Sequence, residues 1–505
     1  MAMTNETTPL LSDERVPDAE AHQKPPAITP LPKLQLAIIT CIKLVEPLAY
    51  ELIFPYINEY VRFLRVTDNP QHVGFYSGLV ESAFAFAELF AIYHMAKLSD
   101  RVGRRPVLFF GVGGVGVATI LFGLSTSFAM LLAVRVLAGL CSGNTAVALS
   151  VVGELTDASN VGLAMSIFGI AWPVGAILGP LLGGALADPA ARFRWLDWPF
   201  LRRFPYFLPG AVSGAMTLAA VLVGFLFLEE TLPRKRHARR ATDATAYSDA
   251  ASDQNHGHSR HSTDATACSD AASAASDEPH KTLTMRTLLA IPAIFNLAGS
   301  GFALSFLTTG FDVLFVLYAS TAIENGGLGF SPATIGYALS ASGVFLVLLQ
   351  VLLMPRLLRT FDKAKMYNLT MWLFLPLYPL LATLNPIARS GYNTATGQLS
   401  TSTNALLWAA IALLLGTMRL ANLGYGLSAV LVKEHCPNPA SLGVSNGAIT
   451  FVMSLARATA PTAVSSMFAF AVAGNLLGGF AWMLPMLGLA LGGVYQSTRV
   501  VKMRT

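Results

Sequence analysis

Long apolar runs constrain this chain more than any other feature. A helix that crosses the hydrocarbon core of a bilayer needs about 20 mostly apolar residues. Runs of that kind cover 34–57, 73–95, 106–126, 128–150, 161–186, 205–228, 287–318, 332–354, 366–386, 404–431, 442–472 and 474–496. They are numbered here as spans 1 to 12, six before a long polar stretch and six after it. Charged residues make up only 12% of the 505 positions and hydrophobic ones 53%, roughly half the charged share of an ordinary globular protein. A soluble protein of that make-up would expose large apolar patches and aggregate. The composition argues against a soluble enzyme, a disordered scaffold or a nucleic-acid-binding protein, and for a multi-spanning membrane protein embedded in a lipid bilayer.

The polar segments divide the chain into a tail (1–33), a six-span unit (34–228), a linker (229–286), a second six-span unit (287–496) and a short tail (497–505). The first tail is polar and Pro-bearing, unlike a cleavable signal peptide. The linker carries Arg234, Lys235, Arg236, Arg239 and Arg240, then Ala/Ser/Asp/His-rich low complexity with a near-duplication, DATAYSDAAS at 243–252 and DATACSDAAS at 264–273. Such a composition cannot bury enough surface to order itself, so a disordered linker is expected. His256, His258 and His261 fall within it and are read as solvated rather than as a metal site. Cys41, Cys141, Cys268 and Cys436 are scattered without a CxxC pair, which excludes a disulfide framework or zinc site. The GVGGVG stretch at 111–116 lies in an apolar span with no strand before it, so it is not a phosphate loop. No catalytic triad is visible. The chain is expected to be no enzyme and to use no metal or cofactor.

Orientation follows from Lys and Arg in the connecting segments. With the N-terminus cytosolic, inner segments carry 23 of them and outer loops 7, while Lys43, Arg135, Arg419 and Arg457 fall inside spans. Both termini are therefore expected on the cytosolic side. The outer loop 187–204 runs against the trend, but it also holds Trp195, Trp198 and Phe200, which suit the headgroup layer.

Two motifs carry chemistry. Between spans 2 and 3 the chain reads AKLSDRVGRRPVL, with Leu98, Asp100, Arg101, Gly103, Arg104 and Arg105 at fixed spacing. A short turn needs Gly103 for its backbone freedom, and Asp100 is placed to pair with Arg104. In span 5, SIFGIAWPVGAILGPLLGG sets Gly175, Gly179 and Gly183 four residues apart, with Pro180 and Gly184 beside them. Small residues at that spacing let helices approach closely, and Pro180 kinks the helix. These stretches resemble the major facilitator superfamily. The first matches its G-x-L-x-D-R-x-G-R-R/K loop except for Ala96 in place of the leading Gly. The second matches the G-x8-G-x3-G-P-x2-G-G pattern of its proton-coupled antiporters except for Ser166 in place of the first Gly. A weaker likeness lies in span 4 at Arg135, Gly139 and Gly143, with an echo in span 10 at Arg419, Gly424 and Gly426 and another in span 11 at Arg457 and Pro461. The chain looks like the twelve-span drug:proton antiporter-like branch in a fungal-type sequence. The resemblance implies an all-α major facilitator fold, twelve transmembrane helices in two six-helix bundles with inverted repeats. It implies that the first loop latches the halves in one facing state, that the span 5 pattern goes with export, and that spans 1, 4, 7 and 10 line a central cavity.

Charges inside a membrane are costly and mark function. Lys43 and Glu46 stand three apart and can meet on one face of span 1. Glu51 has no obvious local partner. Glu81 and Glu88, seven apart in span 2, point the same way. Asp312 stands alone in span 7. For Arg135 a carboxylate from span 1 or 2 is the economical partner. Glu46, Glu51, Glu81, Glu88, Arg135 and Asp312 are therefore the expected proton-coupling residues, with Glu46 and Arg135 foremost. Lys43, Arg419 and Arg457 are expected at the substrate cavity, along with Phe84, Phe86, Phe90, Phe306, Phe311, Phe315 and Tyr318. Cations would suit an organic anion; aromatics would suit amphipathic drugs, secondary metabolites or glycolipids. The expected function is proton-driven efflux of such a molecule by a monomer. Uptake symport is the nearest alternative and a non-transporting sensor a remote one. The plasma membrane is favoured; the dileucine-type stretch Glu6 to Leu11 would instead address a vacuolar or other endomembrane.

Overall fold

The computed structural model describes residues 29–69, 72–157, 159–232, 290–393, 397–436 and 442–503. Most of the expected N-terminal tail and linker, with the three linker histidines, lies outside the described residues.

Each apolar run contains helix. Spans 2, 3, 6 and 7 are unbroken as Val73–Val102, Arg104–Gly123, Phe207–Phe227 and Pro292–Ser320. Others are interrupted where a residue cannot serve the helical ladder. Span 1 runs Lys33–Glu51 and continues after a turn as Ile57–Phe63. Span 5 joins Val161–Gly169 to Ala171–Leu186. Span 8 passes from Pro332–Leu348 through a π-helical turn, Leu349–Leu353, to Met354–Thr360. Span 9 joins Lys363–Trp372 to Phe374–Ser390. Spans 4 and 10 both break beside an asparagine. Span 4 is Phe128–Ser142 then Thr145–Leu155, and Asn144 Nδ2 donates to the carbonyl of Cys141 at 2.9 Å. Span 10 is Thr401–Ala421 then Gly424–His435, and Thr308 donates to Asn422 Oδ1 at 3.2 Å. Broken backbone at membrane depth is tolerated where protein groups satisfy it. Span 11 is Leu442–Ala473. Among the described residues, nine helical stretches are long and apolar enough to cross a membrane by length and composition.

Two details differ from the sequence expectation. Span 12 is Met483–Lys502 rather than 474–496. The apolar stretch before it is not helical, because Asn475, Leu477, Gly478 and Gly479 take positive φ. The fold is also not wholly helical: Tyr392–Asn393 pairs antiparallel with Gln398–Leu399 in the loop before span 10. The loop between spans 5 and 6 forms short helical pieces with Trp195 and Trp198 exposed, as a headgroup-facing segment would.

The C-terminal six spans share one large core that includes Leu307, Phe311, Phe315, Tyr378 and Trp482. The N-terminal spans build two smaller ones around Tyr60 and Phe84 and around Ile39 and Val151. The halves meet through two helix pairs, span 2 along span 11 and span 5 along span 8. Each pair maps onto the other when the halves are exchanged. Hydrogen bonds that join the halves cluster toward the predicted outer end. Asn58 Nδ2 donates to Ser320 Oγ at 3.1 Å, the amide of Thr462 to Ser82 Oγ at 3.0 Å, and Ser340 Oγ to the carbonyl of Ile177 at 2.8 Å.

At the opposite end, Thr29 and Asn160 fasten the start of span 1 to the turn before span 5, with Asn160 Nδ2 donating to Thr29 Oγ1 at 3.0 Å. Asp157 in that turn accepts from the hydroxyl and amide of Ser159 and from the hydroxyl of Thr29, and these bonds hold its carboxyl below the usual range. A group depressed in the folded state contributes at neutral pH and loses that contribution only as pH falls through its lowered value. The fastening should therefore persist to below about pH 4, the ordinary carboxylate value. Asp157→Ala should release it at neutral pH, which amide exchange at residues 159–161 would report.

Candidate functional site

In span 1 the predicted pair is made: Lys43 Nζ lies 2.7 Å from Glu46 Oε2. The break in span 4 swings Thr145 onto the same pair. Lys43 Nζ donates to its Oγ1 at 2.6 Å, and that hydroxyl donates to Glu46 at 3.0 Å. Glu88 of span 2 faces Glu46, Lys43 and Arg457. Glu46 and Glu88 line one narrow cavity with Tyr50, Phe84, Trp172, Ser454 and Arg457, about 10 Å³ in volume, room for roughly one water. Tyr50 is the hub of its aromatic wall, with ring centroids 5.5 Å from Phe54, 5.5 Å from Phe84 and 6.4 Å from Trp172.

Arg135 meets the carboxylate expected from span 2 only through space. Among the described residues it forms no ion pair with a carboxylate. Its guanidinium is instead sandwiched between the rings of Phe84 and Phe122, each 5.1 Å away, with Nε unpartnered. Two aromatic faces supply the negative potential that a carboxylate would have given. Glu81 is in electrostatic reach of Arg135, is fully buried, and leaves Oε2 unpartnered.

The C-terminal half contributes a second set. Arg419 Nη2 stands 4.0 Å from Asp312 Oδ1, too far for a hydrogen bond, and donates to Ser342 Oγ at 3.0 Å. Asp312 Oδ1 is buried and unpartnered. Glu51 reaches across from the N-terminal half, facing Asp312, Arg419, Glu81 and Arg457. Buried oxygens without hydrogen bonds are costly, and Glu81 and Asp312 are two of the residues that carry one here.

The glycines of span 5 have two uses. A Cβ on Gly175 would meet Pro47 at 2.6 Å, one on Gly179 would meet Glu51 Cβ at 2.7 Å, and one on Gly183 would meet the Leu52 carbonyl at 1.9 Å. That face seats span 1. On the other side a Cβ on Gly184 would meet the Pro332 carbonyl at 2.5 Å, and one on Gly336 would meet the Pro180 carbonyl at 2.3 Å. The motif thus packs the charged helix with one face and the opposite half with the other.

In the loop after span 2, Gly103 takes φ 117° and ends the helix. Arg104 then donates to Asp100 at 2.6 Å, to Ser99 at 2.7 Å and to Glu154 Oε1 at 2.9 and 3.0 Å. Glu230 accepts from the backbone amides of Arg104 and Arg105 at 2.8 and 3.3 Å, capping span 3. Arg105 donates to the carbonyl of Phe225, and Thr231 to Glu154. These partners lie in the N-terminal half or in the first residues of the linker, none in the C-terminal half; Arg101 is exposed. In this structure the loop braces spans 2, 3, 4 and 6 rather than bridging the halves. Gly103→Val forces a branched side chain into a left-handed turn, and Asp100→Asn weakens the Arg104 pair. Both should lower the turnover rate in a transport assay, Gly103→Val by about five- to a hundredfold if about 1–3 kcal/mol of strain falls on the rate-limiting step. Wild-type rates in both would show the brace to be dispensable.

Sequence reasoning missed Tyr50, Thr145, Glu154, Trp172 and Glu230. Polar or aromatic type marked them, but nothing local gave their partners. Phe86 and Phe90 are 46% and 65% exposed and stand outside the cavity of Glu46 and Glu88, while Phe311, Phe315 and Tyr318 are core.

The Major Facilitator Superfamily profile matches residues 50–461. A protein of Psilocybe cyanescens named major facilitator-type transporter psiT2 is 40% identical, across 99% of this chain and 96% of that protein. Aspergillus fumigatus has one named major facilitator superfamily multidrug transporter mfsB, 29% identical across 85% of this chain and 77% of that protein. The solved structure of the human organic anion transporter MFSD10 (TETRAN) superposes with a TM-score of 0.55 at 18% identity, covering 93% of this chain and 100% of that one.

Proposed function

The chain belongs to the Major Facilitator Superfamily, and from that premise we propose that it exports a small organic molecule in exchange for protons by alternating access. It is a multi-pass membrane transporter, set in a lipid bilayer and with relatives named for multidrug transport. The observation that carries the proton reading is the charge set between the halves. Glu46, Glu51, Glu81, Glu88 and Asp312 share the bundle interior with Lys43, Arg135, Arg419 and Arg457. Carboxylates held at that depth bind protons to lose their charge.

A proton entering from outside neutralises a carboxylate of the Glu46–Glu88 site and favours the inward-facing state. Substrate boards from the cytosolic side, and release outward accompanies the return stroke. The span 5 packing supports export, because it joins the proton-bearing helix to the opposite half. The aromatic character of Tyr50, Phe84 and Trp172 supports a drug, secondary metabolite or glycolipid as cargo, for which the one-water cavity has to widen during the cycle. The placement of Arg419 beside Ser342 favours a second reading, an organic-anion cargo. The proton gradient drives the cycle without cofactor, metal or chemical conversion, and a monomer in the plasma membrane suffices.

Proteoliposomes with opposite pH gradients test direction and coupling. Cargo should accumulate against a gradient only when protons run the other way. Flux indifferent to both gradients would sink the proposal. Metabolite profiling after gene deletion identifies the cargo as the compound trapped in cells.

A further inference from the structure

Resting on that proton-coupled reading, we infer that Arg457 is the charge tie between the halves, held by the Glu46–Glu88 site and released when the site is protonated. Arg457 projects from span 11, in the C-terminal half. Its own half offers it Ser454 Oγ at 3.3 Å and the hydroxyl of Tyr425, neither of them an anion. From the other half, Glu46 and Tyr50 of span 1 and Glu88 of span 2 line the same narrow cavity as Arg457, within electrostatic reach though beyond ion-pair distance, with Glu51 also in reach. Lys43 stands behind Glu46 and is bound to it. The guanidinium lies over the Trp172 ring of span 5, 5.6 Å from its centroid.

The order is cation, acid, acid, cation, running from Lys43 through Glu46 and Glu88 to Arg457. The outer members belong to opposite halves. Both outer cations also have a neutral partner, Thr145 for Lys43 and Ser454 for Arg457, but Lys43 and its acids lie in one half whereas Arg457 meets them across the halves. A guanidinium inside a membrane needs a counter-charge or water. Each proton added to the acid pair removes one of the negative charges that hold span 11 against spans 1 and 2. Arg457 is thus a positioning residue that converts protonation into separation of helices. Arginine suits the post because one planar group can stack on an indole and donate hydrogen bonds at its edge.

The full chain, reconstituted in vesicles, tests this through transport and through Trp172 emission. Emission is read as the difference between the wild type and Trp172→Phe. Acidification should change that emission in the wild type. In Arg457→Gln the change should vanish, and proton-driven flux should fall by about tenfold, a common size for coupling between sites. Arg457→Lys should keep part of the pH profile. A wild type with proton-driven flux, alongside an Arg457→Gln variant of unchanged pH profile and emission response, overturns the inference. A wild type with no proton-driven flux overturns the export reading instead. Should Arg457→Gln fail to accumulate, Arg457→Lys replaces it, and an emission response equal to wild type overturns the tie.

Discussion

Glu46→Gln should stop proton-driven transport and also weaken the fold, and the two losses can be separated. Glu46 neutralises Lys43, which is buried against it at 2.7 Å. Removing one partner of a buried pair strands the other, at a cost of about 3–5 kcal/mol. Thr145 remains to accept from Lys43, so the lower end of that range applies. The double variant Lys43→Met with Glu46→Gln removes the stranded charge and should recover most of the lost thermal stability. It should not recover transport, because the proton site is still gone. Melting in detergent and pH-jump flux in vesicles, run on both variants, give the two readings. Wild-type pH-driven flux in the double variant would refute the role of Glu46.

The second large effect is expected at Gly183. Its missing Cβ would lie 1.9 Å from the carbonyl oxygen of Leu52. A flexible side chain can move aside; a helix backbone can do so only by shifting span 1 and everything that span carries. Gly183→Val should therefore cost about 3 kcal/mol or more, at or beyond the usual range for overpacking, and abolish transport. Gly113→Ala, in span 3, meets nothing within 4 Å and should be neutral or slightly stabilising as a helix interior change. Comparing the amounts of folded protein for the two variants separates local fit from a general intolerance of change at glycine. A Gly183→Val protein with normal yield and flux would mean that span 1 does not seat on span 5.

What the sequence could express here depended on range. Twelve spans were legible because membrane insertion writes itself as local apolar length. Lys43 with Glu46, and Asp100 with Arg104, were legible because a helix brings residues three or four apart together. The spacing of Gly175, Gly179 and Gly183 announced a close contact but not its partner, since the approach of span 1 is set by the whole bundle. The ring neighbours of Arg135 were illegible for the same reason: Phe84 and Phe122 lie in other spans, and Glu81 of span 2 meets it only through space. Glu154 and Glu230 stand 50 and 126 residues from Arg104, which they fix. The start of span 12 failed locally, because hydrophobicity at 474–482 says nothing of the left-handed backbone that glycine permits there.

The two glycine-lined helix crossings have a mechanical consequence. Gly78 of span 2 sits so near Pro461 and Ser465 of span 11 that a Cβ would overlap both, and Gly184 and Gly336 do the same for spans 5 and 8. Both crossings lie toward one end of the helices, so they act as a paired fulcrum. A helix of about 20 residues is about 30 Å long. A tilt of about 10° at the fulcrum therefore moves the far tips by about 5 Å while the near ends scarcely part. Such a lever would open the cytosolic side while the outer end stays sealed, and the outward stroke of an exporter would have to part the inter-half bonds gathered there.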